Sequence, residues 1–223
     1  ALAAVAAVLA AGVANVSVDF LSGVPGQSEE ALRRGLRRAA GLGVSHVSVY
    51  DLQYEPGTPF ERQFPEAGEA GRPSEGAAAD LYVAAHEELA AAGFEHYEVS
   101  SFARLAPPLA SPPSRCRSRH NLGYWSGRPY AAFGNGAASF VRGVRSSRPR
   151  GVDEYCSWVR QGGPEAQLAD VDTSPRDDPR GPLYEALMLG LRTSDGVALS
   201  AGGSAAGSAA AAGSSSASPA PRS

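Results

Sequence analysis

The sequence predicts an α/β fold, and three segments predict it. Asn15-Val-Ser-Val-Asp-Phe-Leu21 alternates: Val16, Val18 and Phe20 fall on one face, and Asn15, Ser17 and Asp19 on the other. Period-two alternation is the signature of a strand buried on one side. Ser28 then opens an amphipathic helical segment. Ser45 to Leu52, rich in Val and Tyr, reads as a second strand. Strand–helix–strand over about 37 residues is one βα repeat followed by the next strand. In an α/β barrel the apolar face of the first strand packs on helices and its polar face points to the lumen. Asp19 is then expected near the strand's C-terminal end, where barrel active sites lie.

Ala1 to Ala11 is Ala-rich and helix-favouring, with Gly12 to end it. It has no basic flank and no cleavage signal, so it reads as a buried helix and not a signal peptide. The missing initiator Met implies a chain that begins within a domain. In the next helix Ser28 is the N-cap and Glu29 and Glu30 occupy the first turn. Arg33, Arg34, Arg37 and Arg38 follow, as the helix dipole favours. Ala31, Leu32, Leu36, Ala39 and Ala40 make its apolar stripe, and Gly41 and Gly43 stop it.

Gln53 to Glu75 reads as a polar Pro/Gly loop. Gly76 to Ala92 reads as a helix, with Leu81, Ala84, Ala85, Glu88 and Leu89 at helical spacing. Glu95 to Phe102 is expected to be one strand. Residues 105–119 hold four prolines and are expected to be a loop. Phe133 to Val144 reads as a Gly turn running into a strand. Val152 to Arg160 and Leu183 to Arg192 are expected to be short helices. Residues 201–223 hold only Ala, Gly, Ser and Pro apart from Arg222, the composition of a disordered tail.

The chain has 223 residues, of which 43% are hydrophobic, enough for a buried core. All 20 basic residues are Arg, against 23 acids. The net charge of −3 gives no global reason to expect nucleic acid or a membrane as partner. No segment approaches the ~20 apolar residues of a membrane span. The average hides a segregation. From Val99 to Val152 there are nine arginines (104, 115, 117, 119, 128, 142, 145, 148 and 150) and no acid. This stretch is a candidate anion-binding region or an Arg-rich solvated loop.

Two cysteines, Cys116 and Cys156, exclude a disulfide framework, a four-Cys zinc site and the three-thiolate cradle of an iron–sulfur cluster. The four histidines, at 46, 86, 96 and 120, lack the short spacing of a structural zinc site. Three of them read as structural residues. His120 differs because it opens His120-Asn-Leu-Gly-Tyr-Trp125 inside the acid-free region. An imidazole beside aromatic surface suits a haem iron and macrocycle, and nearby Arg suits its propionates. Asp19, four residues before the Gly23-Val-Pro-Gly-Gln27 turn, reads either as a ribose-binding acid or as a loop brace. No Walker loop or Ser nucleophile elbow is present.

Five motifs then occur in order. They are Asn15-Val-Ser-Val-Asp-Phe-Leu-Ser-Gly-Val-Pro-Gly-Gln27, Tyr50-Asp-Leu-Gln-Tyr-Glu-Pro-Gly-Thr-Pro-Phe60 and Tyr97-Glu-Val-Ser-Ser-Phe-Ala103. Ser118-Arg-His-Asn-Leu-Gly-Tyr-Trp125 follows, then Leu187-Met-Leu-Gly-Leu-Arg192 with Gly196-Val197. Together they resemble the radical SAM proteins related to oxygen-independent coproporphyrinogen III oxidase, and the His-Asn-x-x-Tyr-Trp element resembles the HemW-type haem chaperone branch.

The resemblance implies the C-terminal part of a partial (βα)6 TIM-like barrel, followed by an α+β segment and a disordered tail. Its expected domains are late βα units over 1–104, a post-barrel segment over 105–200 and a low-complexity tail over 201–223. It implies S-adenosylmethionine and a [4Fe–4S] cluster as cofactors. Asp19, Leu52 and Gln53 would meet S-adenosylmethionine, and His120, Asn121, Tyr124 and Trp125 would form the haem motif, His120 being the candidate iron ligand. The family's Cys-x3-Cys-x2-Cys cluster loop is absent from this chain, so self-contained radical catalysis is not expected and the chain resembles a fragment. The implied role is haem binding and delivery to apoproteins, in the cytoplasm or an organelle (plastid or mitochondrion). The rival readings are a coproporphyrinogen III oxidase- or dehydrogenase-like enzyme and an inactive, interaction-only pseudo-enzyme.

Overall fold

A computed structural model describes residues 1–65, 71–105, 116–163 and 181–198. The chain divides into two compact units, Ala1–Leu122 with Arg192–Asp195, and Gly123–Leu191 with Gly196–Ser223. The low-complexity tail expected over 201–223 lies outside the described residues.

The first unit runs α1 (Leu2–Ala10), β1 (Ser17–Ser22), α2 (Glu29–Gly41), β2 (His46–Asp51), α3 (Pro59–Gln63), α4 (Glu75–Ala91), β3 (Phe94–Glu98) and β4 (Ser101–Arg104). The expected βα repeat is present: β1 and β2 pair in parallel, from Ser17 beside His46 to Ser22 beside Asp51. Ser28 caps α2, its Oγ accepting from the Ala31 amide at 3.2 Å. Thr58 caps α3, a short helix inside the segment read as loop.

Three expectations need correction. The opening segment read as a buried helix is helical as α1 but has no buried residue. The segment read as one strand is a hairpin, β3 and β4, with only Val99 and Ser100 between them. So short a connection forces antiparallel pairing, whereas a parallel neighbour needs a crossover of a dozen or more residues. β4 in turn pairs antiparallel with β2, giving a mixed sheet of order β1-β2-β4-β3. Asp19 is the third of six residues in β1, not near its end, because the strand continues to Ser22.

The two faces of the sheet differ as the alternation predicts. Val16, Val18 and Phe20 pack on a core of Leu32, Leu36, Val44, Val47, Val49, Leu81, Ala85, Leu89, Phe94 and Phe102. Ser17 and Asp19 turn to the opposite, polar face. There the register aligns Ser17 with His46, and Asp19 with Ser48 and Ser101. Arg104 ties the layers together. Its guanidinium donates to the carbonyls of Ala40, Val44 and Ala92 and lies 4.5 Å from the Phe94 ring centroid. Two of these carbonyls close the C-terminal ends of α2 and α4, where a cation is favoured.

On the polar face His46 is buried between Ser17 Oγ, 2.8 Å from Nδ1, and Tyr97 Oη, 2.8 Å from Nε2. Burial pushes the imidazole below its ordinary pKa, and the Glu98 and Asp19 carboxylates oppose this with smaller effect.

In the second unit β5 (Ala138–Val141) and β6 (Val144–Ser147) form a hairpin. The sequence pattern predicts the first strand but not the second. Arg142 and Gly143 both have positive φ at its turn, the conformation that a two-residue hairpin connection requires. α6 (Val152–Arg160) has the expected bounds, and α7 (Gly181–Gly190) covers most of the expected last helix. α5 (Arg119–Trp125) spans the division between the units and was not foreseen; residues 106–115 of the expected loop before it lie outside the described residues. In α7 a Cβ on Gly190 would collide with the Val197 side chain. The Gly in Leu-Met-Leu-Gly-Leu-Arg is thus what lets Gly196-Val197 return over the helix.

Leu36 is fully buried under the sheet. Leu36→Ala is expected to lower stability by about 2–5 kcal/mol, the range for a core leucine replaced by alanine, as read by urea unfolding. Because the folded state holds His46 neutral, the unfolded state binds more protons in acid. Stability is therefore complete above the ordinary histidine pKa and falls as pH drops through it towards the depressed folded value. Unfolding midpoints between about pH 8 and pH 5 check this: His46→Gln should flatten that part of the profile.

Candidate functional site

The C-terminal crest of β1 and β2 is stitched by the first two motifs. The Leu52 amide donates to Ser22 O at 2.9 Å. Gln27 folds back, its Oε1 accepting from Gly23 N at 2.9 Å and its Nε2 donating to Leu21 O at 3.0 Å. Tyr54 Oη donates to Gly23 O at 2.7 Å. Gly23 has φ +80°, and a Cβ there would stand 3.1 Å from Asp51 Oδ1. The glycine therefore supplies both a left-handed turn and a close approach to the next strand. Tyr54 in turn stacks on Phe60, ring centroids 5.5 Å apart.

Among the residues expected to meet S-adenosylmethionine, Leu52 and Gln53 sit on this crest. Gln53 Nε2 donates to Asp51 Oδ2 at 2.9 Å. Asp19 stands lower on β1, exposed on the polar face. A carboxylate there is open to a hydroxyl-bearing ligand lying along that face.

The third and fourth motifs meet through one hydroxyl. Tyr97 is fully buried, and its Oη accepts from the backbone N–H of Ser118 at 2.9 Å while contacting His46. Ser118 Oγ accepts from the Asn121 amide at 3.2 Å and so caps the helix that carries His120. The polar chain therefore runs from Ser17 through His46 and Tyr97 to the start of α5. The fifth motif joins it: Ser194 N donates to Tyr97 O at 2.9 Å, and Thr193 bridges Glu98. Arg117 lies 5.3 Å from the Tyr97 ring centroid and is held by Glu95 at 2.8 Å and Asp195 at 2.9 Å. These hydrogen bonds push its pKa further up.

His120 is exposed on α5, and Asn121 is half-buried beside it. Both belong to the first unit; Tyr124 and Trp125 belong to the second. Tyr124 meets Tyr130 edge to face, centroids 4.6 Å apart.

The acid-free arginine stretch is not one basic surface. Arg104 is spent on carbonyls and Arg117 on Glu95 and Asp195. Arg145 pairs with Glu185 at 2.6 Å. Arg148 is buried, donates to Ala132 O and lies over Trp158. The acids that neutralise Arg117 and Arg145 come from outside the stretch, which a linear charge count cannot show. Arg119, beside His120, is exposed.

Cys116 is buried, and burial raises its pKa; Cys156 is exposed. They lie in different units, and no group of three or more His, Cys, Asp or Glu among the described residues could hold a metal ion. The residues present thus do not fit a three-thiolate cluster. His86 and His96, from α4 and β3, meet with their Nδ1 atoms 3.3 Å apart, a pairing the sequence does not signal. A separation of ten residues carries no motif; the tight α4–β3 connection creates the pair.

No protein-family model matches the chain. It is 36% identical over 198 residues to the heme chaperone HemW of Synechocystis sp., covering 87% of this chain and 44% of that protein. To the heme chaperone HemW of Bacillus subtilis it is 31% identical over 188 residues, covering 84% and 45%. To the mitochondrial radical S-adenosyl methionine domain-containing protein 1 of Danio rerio it is 32% identical over 190 residues, covering 82% and 40%. The fold is similar to that of coproporphyrinogen III oxidase (HemN) from Escherichia coli, a radical SAM enzyme. That match has a TM-score of 0.54 and 19% identity, over 73% of this chain and 38% of the other. The chain spans somewhat less than half the length of the curated relatives it matches. With its five motifs in order on this fold, the chain belongs to the HemW/HemN-like radical SAM family.

Proposed function

We propose that the chain is the haem-handling part of a HemW-type chaperone, binding haem at the His120-Asn-x-x-Tyr-Trp element for delivery to apoproteins. The observation that carries the reading is the similarity to heme chaperones HemW over most of the chain, together with the His-Asn-x-x-Tyr-Trp motif itself. The exposed imidazole of His120 would hold the haem iron through a ring nitrogen. Tyr124 and Trp125 offer aromatic surface to the macrocycle. Arg119 supplies the cation for a propionate. Tyr97 is a positioning residue: its hydroxyl fixes Ser118, and Ser118 caps the helix that carries His120.

Family membership implies S-adenosylmethionine as cofactor. Asp19, with Leu52 and Gln53, is proposed to receive its adenosine part, the Asp19 carboxylate accepting from ribose hydroxyls. The two cysteines of this chain do not make a cluster site, and no radical step is assigned to its residues. The cytoplasmic or organellar location is part of the same proposal. No helix among the described residues is long and apolar enough to cross a membrane.

Haem titration followed in the Soret band tests the reading. His120→Ala is expected to reduce the shift, and an unchanged titration would overturn the ligand assignment. Tyr97→Phe should weaken haem binding less than His120→Ala while lowering stability by about 1–3 kcal/mol, since it leaves buried partners unpaired. In a full-length protein, Asp19→Ala should lower S-adenosylmethionine affinity measured by equilibrium binding; unaltered affinity would remove Asp19 from that role.

A further inference from the structure

We propose that His86 and His96 form a surface site for a borderline divalent metal ion of the zinc, nickel or copper class, separate from the haem motif. His86 stands on α4 and His96 on β3, and their Nδ1 atoms are 3.3 Å apart. Metal–nitrogen bonds of about 2.0–2.1 Å at a tetrahedral angle place two imidazole nitrogens about 3.3–3.4 Å from each other. The two rings are therefore already set at the edge of a tetrahedral site.

The second nitrogen of His96 decides its tautomer. His96 Nε2 lies 3.2 Å from Val99 O. A carbonyl only accepts, so Nε2 carries the hydrogen and Nδ1 presents a lone pair to His86. Donation of the non-ligating N–H to a carbonyl is the arrangement that orients metal-bound histidines. The ring is held from the side as well: it stacks on Phe102 at 4.1 Å and 15°, with Tyr82 5.9 Å away. His86 is exposed, so an ion reaches the pair from solvent. Without metal the His86 Nδ1–H fills the gap as a hydrogen bond; on uptake of the ion the neutral ring shifts that hydrogen to Nε2 and binds through Nδ1, with no net loss of a proton.

Among the described residues no third ligand joins the pair. Water or an added ligand completes the coordination, so the site is open and exchanges its ion. Imidazole nitrogens favour zinc, nickel and copper over magnesium or calcium. A bound ion would tie α4 to β3.

Calorimetric titration of the full chain with ZnCl2 tests this. One ion per chain is expected at this pair, with a rise in melting temperature, since a ligand bound only by the folded state stabilises it. His86→Gln and His96→Gln should each weaken binding by no less than the roughly 10–100-fold that loss of a merely supporting partner costs in metal sites. Cys156→Ser and His120→Ala should retain it. The proposal is overturned if the chain takes up no zinc, if neither glutamine variant weakens uptake, or if the ion is lost instead with Cys156 or His120.

Discussion

The first unit depends on what the Tyr97 hydroxyl does. It is one oxygen with one hydrogen, and it serves two elements far apart in the chain. It accepts from the Ser118 amide and faces His46 Nε2. Burial raises the Tyr97 pKa, so the phenol keeps its hydrogen. The arrangement that leaves no donor idle has Tyr97 donating to Nε2 and His46 Nδ1–H donating to Ser17 Oγ. That arrangement needs a neutral imidazole, which is the form burial favours. One protonation state of His46 thus holds β1, β2, β3 and the start of α5 in a single hydrogen-bonded line.

This line explains why separate motifs belong together. Tyr97 opens the third motif and Ser118 the fourth, yet each has its meaning only in the other. Ser118 without Tyr97 is a helix cap with nothing to anchor it. Tyr97 without Ser118 is a buried hydroxyl short of a donor, a costly thing in a protein interior. Arg117 adds a second clamp from the same side, lying over the Tyr97 ring and reaching Asp195 beyond the fifth motif's helix. The cation is needed because Glu95 and Asp195 would otherwise meet there as like charges.

The local rules read well from sequence because the physics behind them is local. Ser28 as a cap, Leu32, Leu36 and Ala39 on the buried side of α2 (Ala31 of the expected stripe is exposed), the alternation of β1 and the bounds of α6 depend only on neighbours within a few residues. The exposed, polar side of Asp19 was legible for the same reason. Its height on the strand was not, because Ser22 joins the ladder only through its pairing with Asp51. The β3–β4 hairpin was hidden because Val99-Ser100 carries none of the Gly or Asn signals that mark a tight turn. The arginine stretch misled for a deeper reason. Charge adds along a sequence but is neutralised in space, by Glu95, Asp195, Glu185 and a set of helix-end carbonyls.

The two chemistries that the family combines make different demands on a chain. A cluster needs three thiolates held in one short loop, a demand that one missing cysteine defeats. Handling haem needs one accessible imidazole whose helix is held in place, with a cation near it for a propionate. Here the cysteines are one buried and one exposed, in different units. The residues proposed to meet haem are present, and the capped start of α5 is joined to the sheet through Tyr97. The proposed division follows from this contrast. What these residues contribute is the placing of His120, through a hydrogen-bonded line that starts on the sheet's polar face at Ser17 and His46.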